Sequence, residues 1–340
     1  MSSLPEEIIY NEILLRLPVK SLLKCKSVCK NWDFYSIDYD SLTSSVCDFE
    51  DAVIEMDYPF KSSLHYDVRL VGSCNGLVCI RVVDSDGDFL CFWNPTTREY
   101  KEIPESPIVM NSICALGYDH KNDDYKLAIG VLQRTTDTTL VQVYTLASNS
   151  WKPGQTVPYG FPNFMQRHGV LFNGDLHWLA VAQDKFCLLS FDISDESFKE
   201  LQLPPKELLE KNKNTCMILG VLEGCLCILV NSYANGIWIH CEVWKMLDYG
   251  VQESWTRRYI ITRESIISDH ILFLSPLWSL ENGKILFKSY GKLVLYDPEH
   301  RSARELNKHS NFTRLAVNYF ESLVSLQSRT YVGGEARIEE

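Results

Sequence analysis

The chain has 340 residues, of which 46% are apolar and 23% are charged, so its composition is that of a folded globular protein with room for about two domains. The formal net charge of −11 argues against a nucleic-acid partner, because phosphates attract a basic surface. The sequence has no run of about 18 apolar residues and no basic stretch followed by an apolar one at its start, so we expect no membrane span and a cytoplasmic or nuclear location.

Two short helices are predicted at the N-terminus. Ile9, Ile13 and Leu17 share one helix face, and Pro18 ends this helix because the residue before a proline avoids the α region. Ser21 is suited to cap a second helix, whose apolar face would comprise Leu22, Leu23, Val28 and Cys29. Helices this short cannot bury all of their apolar residues against each other, so the surplus predicts an interface in which a helix enters a groove on a partner.

Three stretches of this segment resemble the F-box of plant proteins: Leu4-Pro5, EILLRLPVKSLL at residues 12–23 and VCKNW at residues 28–32. The resemblance implies a helical module, predicted over residues 1–45, that docks on the Skp adaptor. The adaptor connects such a module to the cullin scaffold of an SCF-type ubiquitin ligase. The resemblance also implies the adaptor-binding residues, which are Leu4, Pro5, Ile8, Ile9, Ile13, Leu14, Leu17, Pro18, Leu22, Leu23, Val28, Cys29 and Trp32.

Two features depart from the F-box pattern. Asn11 is an extra residue between the Leu-Pro start and Glu12, where the F-box pattern has one residue fewer. One inserted residue rotates all later residues of a helix by about 100° around its axis. The segment after Trp32 is also shorter than the usual helical tail. Both features would act to weaken the hold on the adaptor.

No pattern of catalytic or metal-ligating residues stands out. Twelve cysteines are scattered without a CxxC pair, which favours buried reduced thiols over a zinc site, and HExxH, GxSxG and P-loop motifs do not occur. Asp119, Asp123 and Asp124 lack the glycine and the distal glutamate of a calcium loop, so we interpret them as a solvated turn. His177 and Cys187 would form a nucleophilic pair only if the fold joined them. We therefore expect no enzymatic activity, no cofactor and no metal.

Five repeats follow from about residue 71, each with an aromatic-bearing strand, a turn rich in Asp, Asn or Ser, and a further strand. The aromatic residues of the five repeats are separated by 51, 47, 53 and 52 residues, and they are Trp93, Tyr144, Phe191, Trp244 and Tyr296. A period near 50 is typical of kelch-like propeller blades, which have about four strands each. Additional turns are marked by the hairpin signals Asn75-Gly76, Asn173-Gly174 and Asn282-Gly283. We expect the recurrent tryptophans to lie in the core.

The repeats resemble the F-box-associated domain of plant F-box proteins. The matching stretches are SCNGLVC at 73–79, WNPTTREYKEIP at 93–104, LGYDHKNDDYKL at 116–127, VYTLASNSWK at 143–152, LHWLA at 176–180 and NYFESLVSL at 318–326. Together the two resemblances predict a small all-α F-box module followed by a mainly-β domain, an irregular kelch-like β-propeller. The expected boundaries are 1–45 for the F-box, 46–70 for a linker or first propeller strands, 71–328 for the propeller and 329–340 for a C-terminal tail.

The two resemblances imply a substrate receptor, in which the F-box holds the Skp adaptor and the β domain captures a protein target for ubiquitination and degradation. Receptors of this type act in self-incompatibility, where they recognise basic ribonucleases, or in defence and stress signalling. Residues 1–32 hold five Lys/Arg and three Glu, which leaves −13 for the rest of the chain, and this acidity suits a basic target. The best candidates for target contact are the loops DSDGD, QRTTDTTL, PYGFPNFMQRH, VNSYANGIW and TRESIISDH.

Two alternatives stay open from the sequence. A propeller-type ligand-binding or enzymatic module with a degenerate F-box would hold a metal or a small ligand in a central channel. A non-ligase scaffold would bind the target without the adaptor. Elemental analysis and a ligand screen distinguish the first alternative from a receptor, and co-purification with a cullin distinguishes the second.

Overall fold

The computed structural model describes residues 21–28, 31–38, 53–61, 67–84, 87–106, 113–133, 135–161, 168–205, 214–266, 273–280, 282–289, 292–306 and 312–326. Apart from two short 3-10 helices, Gln252–Ser254 and Arg263–Ser265, the regular structure of these residues is β-strand. The strands form six antiparallel sheets. The chain divides into two compact units, one of Met1–Ile103 with Val317–Glu340 and one of Pro104–Ala316.

Sheets 1 and 2 are formed mainly by the first unit. Sheet 1 has the strand order β25-β1-β2-β3 and comprises β1 (Ser21–Val28), β2 (Asn31–Asp38), β3 (Val53–Glu55) and β25 (Phe312–Tyr319). Sheet 2 comprises β4 (Asp67–Cys74), β5 (Leu77–Asp84), β6 (Gly87–Trp93) and β7 (Tyr100–Ile103) in sequence order. A strand from late in the sequence, β25, therefore joins strands from the first 60 residues in sheet 1.

Sheets 3 to 6 belong to the second unit and also follow sequence order. Sheet 3 comprises β8 (Ile113–Asp119), β9 (Asp124–Gln133), β10 (Thr138–Thr145), β11 (Ser150–Trp151) and β12 (Gln155–Val157), the last two both pairing with β10. Sheet 4 comprises β13 (Val170–Phe172), β14 (Asp175–Ala182), β15 (Lys185–Asp192) and β16 (Ser197–Leu201). Sheet 5 comprises β17 (Thr215–Leu222), β18 (Cys225–Ala234), β19 (Ile237–Met246) and β20 (Trp255–Thr262). Sheet 6 comprises β21 (Ser275–Ser279), β22 (Ile285–Ser289), β23 (Lys292–Asp297) and β24 (Ser302–Glu305).

Strand β1 differs from the sequence prediction of a second helix. It pairs along its whole length with β2, from Ser21 opposite Asp38 to Val28 opposite Asn31. Because β1 lies between β25 and β2, both of its edges make sheet hydrogen bonds, which satisfy its backbone polar groups as a helix would. Serine, cysteine and valine, which supply half of this strand, are also weaker helix formers than the residues that usually fill a helix. The predicted helix is therefore wrong for residues 21–28, and the first predicted helix lies outside the described residues.

The five sequence repeats correspond to sheets 2 to 6. Their aromatic positions occupy the third strand of each sheet and are at most 5% exposed, as expected for core residues: Trp93, Tyr144, Phe191, Trp244 and Tyr296. Trp178 and Trp255 are buried as well. The prediction that the recurrent tryptophans serve the core is confirmed for these positions, because the pleat of each strand turns alternate side chains inward. Trp151 and Trp278, which the same prediction included, are only half-buried.

Turn chemistry explains where the strands end. The predicted hairpin turn Asn75-Gly76 has φ angles of 44° and 85°, and Asn173-Gly174 has 50° and 82°, as a type I′ turn requires. After the third strand of sheets 2, 4 and 6, the side-chain oxygens of Asn94, Asp192 and Asp297 accept backbone N–H groups two and three residues later. These side chains replace backbone partners in the turn, which is why Asn or Asp recurs there.

The core of the second unit lies between successive sheets. The first strands of neighbouring sheets contact one another, as β17 contacts β21. Strand β18 contributes to two clusters by alternation: Leu226 and Ile228 pack toward sheet 4, and Cys227 and Leu229 pack toward sheet 6. Because both faces of this strand are buried, its sequence CLCILV is apolar without interruption.

Candidate target-binding surface and adaptor segment

The adaptor-binding residues predicted from the sequence fall into two groups. Strand β1 carries Leu22, Leu23 and Val28, and β2 carries Trp32, whose backbone lies opposite Ser27. The others lie outside the described residues, and they are Leu4, Pro5, Ile8, Ile9, Ile13, Leu14, Leu17, Pro18 and Cys29. Adaptor binding by both groups stays a prediction.

Four of the predicted target-contact loops leave the second unit at corresponding ends of its sheets. In an antiparallel sheet of four strands, the turn between the second and third strands lies at the same end as the connection that leaves the fourth strand. QRTTDTTL and VNSYANGIW are turns of the first kind, and PYGFPNFMQRH and TRESIISDH are connections of the second kind. We call this end of the sheets of Pro104–Ala316 the loop end. DSDGD has the same position in sheet 2 of the other unit.

Hydrogen bonds hold the loop ends of sheets 3 and 4 together. Gly160 and Val181 exchange two backbone hydrogen bonds, each with an N···O distance of 2.8 Å. The Thr139 hydroxyl donates to the carbonyl oxygen of Tyr159 at 2.8 Å. The connection that leaves sheet 3 is thus tied to strand β14, close to its turn into β15, so this part of the loop end is preorganised.

An asparagine has the corresponding role between sheets 5 and 6. Asn231 is fully buried, and its amide nitrogen donates to the Leu274 carbonyl oxygen at 3.1 Å. Its amide oxygen accepts the Leu274 backbone N–H at 2.8 Å and the Trp238 indole N–H at 3.0 Å. The turn between β18 and β19 and the residue that leads into β21 are therefore held in one arrangement.

Exposed apolar side chains lie at the loop end of sheets 4 and 5. Phe186 is 47% exposed, Ile237 is 50% exposed and Ile239 is 40% exposed. Exposed aromatic and aliphatic side chains on a preorganised surface are suitable anchors for a protein partner. Ile237 lies within the predicted target-contact loop VNSYANGIW, whereas Phe186 and Ile239 lie outside the predicted loops. These two were missed because exposed apolar residues in a strand have the same local pattern as core residues.

The whole arrangement can be compared with known families. A model described as the F-box associated beta propeller domain matches residues 26–326, and a model described as the F-box domain matches residues 1–32. The chain belongs to the F-box-associated β-propeller family. The F-box match and the propeller match overlap at residues 26–32, the region in which this F-box protein forms the β1–β2 hairpin of sheet 1.

Curated relatives of this F-box protein come from Arabidopsis thaliana. It is 27% identical to the F-box protein CPR1, over 90% of this chain and 84% of the relative. It is 28% identical to an F-box/kelch-repeat protein, over 87% of this chain and 88% of the relative. A third F-box protein is 30% identical over 72% of this chain and 69% of the relative. The resemblance to plant F-box proteins with a propeller domain is thereby confirmed.

The possible nucleophilic pair of this F-box protein is not formed. The ring nitrogens of the buried His177 lie 2.7 Å from the Tyr249 hydroxyl and 3.3 Å from the Val170 carbonyl oxygen. Burial lowers the pKa of His177 to about 4 and raises the pKa of the Cys187 thiol to about 11. Cys187 pairs with Ala180, three residues along β14 from His177. A neutral imidazole bound to a phenol stabilises the fold and does not activate a thiol.

Two of the three aspartates around the β8–β9 turn are buried, which corrects the interpretation of a solvated turn for Asp119 and Asp124, whereas Asp123 is half-buried. Asp119 is 1% exposed, and its carboxylate lies 2.9 Å from the Lys126 ammonium. Hydrogen bonds from Asn122, Lys126 and Ser194 outweigh the effect of burial and hold the pKa of Asp119 below its usual value. Asp124 is buried too, and it accepts the backbone N–H groups of Tyr125 and Ala147. The sequence suggested a solvated turn because these residues form a polar run. The buried lysine that pairs with Asp119, Lys126, lies on the next strand, so the run itself does not show the pairing.

The described ranges contain neither a membrane-spanning helix nor a metal-binding cluster. No helix in that part of the F-box protein is long and apolar enough to cross a membrane. No group of three or more His, Cys, Asp or Glu side chains there is arranged to hold a metal ion. Nine cysteines in the same ranges are not in disulfides, and burial raises the pKa of Cys74 and Cys91 to about 12, which keeps these two as thiols.

Proposed function

We propose that this chain is the substrate-recognition subunit of an SCF-type ubiquitin ligase. The observation that carries the proposal is the succession of an F-box match at residues 1–32 and a propeller match at residues 26–326 in one chain. The F-box would hold the Skp adaptor and, through it, the cullin scaffold. The propeller would hold the target, and the chemistry of ubiquitin transfer would belong to other subunits. The chain contributes proximity, which turns an encounter between two molecules into a local reaction.

We assign target capture to the loop end of the second unit. Its connections are tied together by the Gly160–Val181 and Asn231–Leu274 hydrogen bonds, and it exposes Phe186 and Ile237. The charge of −13 outside residues 1–32 favours a basic target, because opposite charges accelerate encounter. Self-incompatibility and defence are the two biological settings that this target chemistry suits.

Adaptor binding is tested with the full chain carrying Leu17→Ala. If Leu17 is an anchor of the F-box, its truncation weakens recovery of the Skp adaptor roughly tenfold. The matched control is Leu247→Ala, which truncates a leucine that is 51% exposed on a turn of sheet 5. Equal recovery of the adaptor by the wild-type chain, by Leu17→Ala and by Leu247→Ala would refute this role of the F-box.

Target capture is tested separately with Ile237→Asp, which places a charge among the exposed apolar residues of the loop end. We expect this variant to keep the adaptor but to lose the proteins that the wild-type chain co-purifies when degradation is blocked. A salt titration of the captured target should show weaker binding at higher ionic strength if its surface is basic. If Ile237→Asp retains the same targets as the wild-type chain, the loop end is not the surface that captures them.

A further inference from the structure

A cavity of about 380 Å³ lies between sheets 5 and 6, away from the loop end. Strand β20 lines one side of it with Arg257, Arg258 and Tyr259. The other side is lined by Tyr296 at the end of β23 and by Arg301 in the turn that follows β23. Three of its lining residues are arginines and none is acidic. This concentration of positive charge contrasts with the net charge of −11 of the chain.

A β-bulge brings two of these arginines to the cavity. Along the β19–β20 pair, Val243 lies opposite Tyr259 and the next residue, Trp244, lies opposite Arg257, so Arg258 has no opposite residue. In a regular strand, neighbouring side chains point to opposite faces, and a bulge re-aims the extra side chain. Arg257 and Arg258 are accordingly both exposed and both line the cavity.

Two of the three arginines make no direct ion pair within the described ranges. Arg257 donates to Glu242 at 2.9 Å. Arg258 and Arg301 pair with no carboxylate there. Glu223 is bound directly by Lys245 and Tyr259, and the charge of Arg258 acts on it only from a distance, as one of the causes that lower the pKa of Glu223. The cavity therefore presents two guanidinium groups that have no direct carboxylate partner.

Tyr296 adds a hydrogen-bond donor that the protein does not use. Its side chain is 2% exposed and its ring packs against Tyr259 and Phe287. Its hydroxyl makes no hydrogen bond to any described residue and is not enclosed by them, so it can donate to a group in the cavity. Because this side chain lines the cavity, a group bound there would meet the hydroxyl.

We propose that this cavity binds a phosphate monoester. Such a group carries a charge of about −1.5 to −2 near pH 7 and has three strong acceptor oxygens. These properties match the two guanidinium groups that make no direct ion pair, whose planar forks suit phosphate oxygens, and the unused phenol of Tyr296. The cavity volume is in the range of small-molecule sites, so the phosphate can be part of a small metabolite or of a phosphorylated side chain. The existence of this site does not depend on the proposed ligase role.

Calorimetric titration of the full chain with inorganic phosphate at low ionic strength tests the proposal. We expect saturable binding at one site, weakened roughly tenfold or more by Arg258→Gln and by Arg301→Gln. Tyr296→Phe should weaken it by a smaller factor, since it removes only the hydroxyl. Arg98→Gln is the matched control, because Arg98 is an exposed arginine on a turn of sheet 2, and it should bind as wild type does.

Two further titrants identify the source of the phosphate group. A phosphoserine peptide that binds more tightly than inorganic phosphate, while its unphosphorylated form does not bind, would indicate a protein source. A sugar phosphate that binds more tightly than the peptide would indicate a metabolite. The proposal is overturned if phosphate does not bind up to about 10 mM, or if Arg98→Gln weakens binding as much as Arg258→Gln does, because the attraction would then be diffuse.

Discussion

His177 links sheet 4 to the turn after β19, and its environment makes the stability of the protein depend on pH. Burial lowers its pKa in the folded state to about 4, from an ordinary value of 6.5. The unfolded state therefore binds a proton more readily than the folded state between these two values. The contribution of a neutral His177 is complete above pH 6.5 and is lost as the pH falls toward 4.

Replacing His177 with glutamine should weaken the pH dependence of stability. Between pH 7 and pH 4.5 the wild-type protein should lose about 2–3 kcal/mol more unfolding free energy than the variant does, since one pKa unit corresponds to about 1.4 kcal/mol. Urea unfolding at the two pH values measures this difference. His120→Gln, at an exposed position, should keep the full loss. An identical loss in His177→Gln and in wild type would contradict the assignment.

Gly76 is a second residue whose environment can be tested alone. Its φ of 85° favours glycine, and a Cβ atom there would lie 2.0 Å from the hydroxyl oxygen of Ser322. Gly174 has almost the same φ, 82°, but open space around it. Gly174→Ala should cost about 1 kcal/mol of unfolding free energy, and Gly76→Ala about 1–3 kcal/mol more. Equal losses in a denaturant titration would show that the segment around Ser322 does not approach Gly76.

Between elements, a buried ionic network joins sheets 3 and 4. The Lys126 ammonium lies 2.9 Å from Asp119, 2.8 Å from Glu196 and 2.9 Å from the carbonyl oxygen of Ile193. The lysine and Asp119 belong to sheet 3, whereas Ile193 and Glu196 belong to the turn after β15. Burying these charges has a cost that only complete pairing offsets, so the network fixes how the two sheets meet.

Removing one charge from this network should destabilise the protein strongly. Asp119→Asn is expected to cost about 3 kcal/mol of unfolding free energy, because it leaves Lys126 buried with one carboxylate fewer. Asp195→Asn is the matched control, since Asp195 pairs with Lys121 at 3.6 Å on the surface, where such a pair contributes less than about 1 kcal/mol. Similar losses in the two variants, measured by chemical unfolding, would contradict a structural role of the network.

Strands and turns that recur in each repeat were predicted correctly from the sequence. Strand β1, which pairs with a strand far away in the sequence, was not. The third strands of sheets 2 to 6 were found from their aromatic residues, and the hairpin at Asn75-Gly76 from its turn residues. Strand β1 was predicted as a helix because Leu22, Leu23 and Val28 are compatible with a helix face. Its strand form depends on pairing with β25, about 290 residues later in the chain, and no local pattern reports such a partner.

At the scale of the whole molecule, the sequence predicted the class of protein better than its binding sites. The family resemblance rests on strings such as WNPTTREYKEIP that match residue by residue, and the family models confirm it. The exposed Phe186 and the arginine cavity were missed, because both are produced by residues from separate strands. Charge summed over the chain predicted a basic target, whereas one cavity concentrates positive charge through a bulge that the sequence does not reveal.

We propose that this chain holds the Skp adaptor while its propeller holds a target. Calorimetric titration of the purified chain with purified Skp adaptor measures the adaptor interaction without other subunits. We expect one-to-one binding with a Kd near or below about 1 μM, weakened roughly tenfold by Leu17→Ala and unchanged by Leu247→Ala. Absence of binding with both proteins at about 50 μM, in a preparation that unfolds cooperatively, would contradict it.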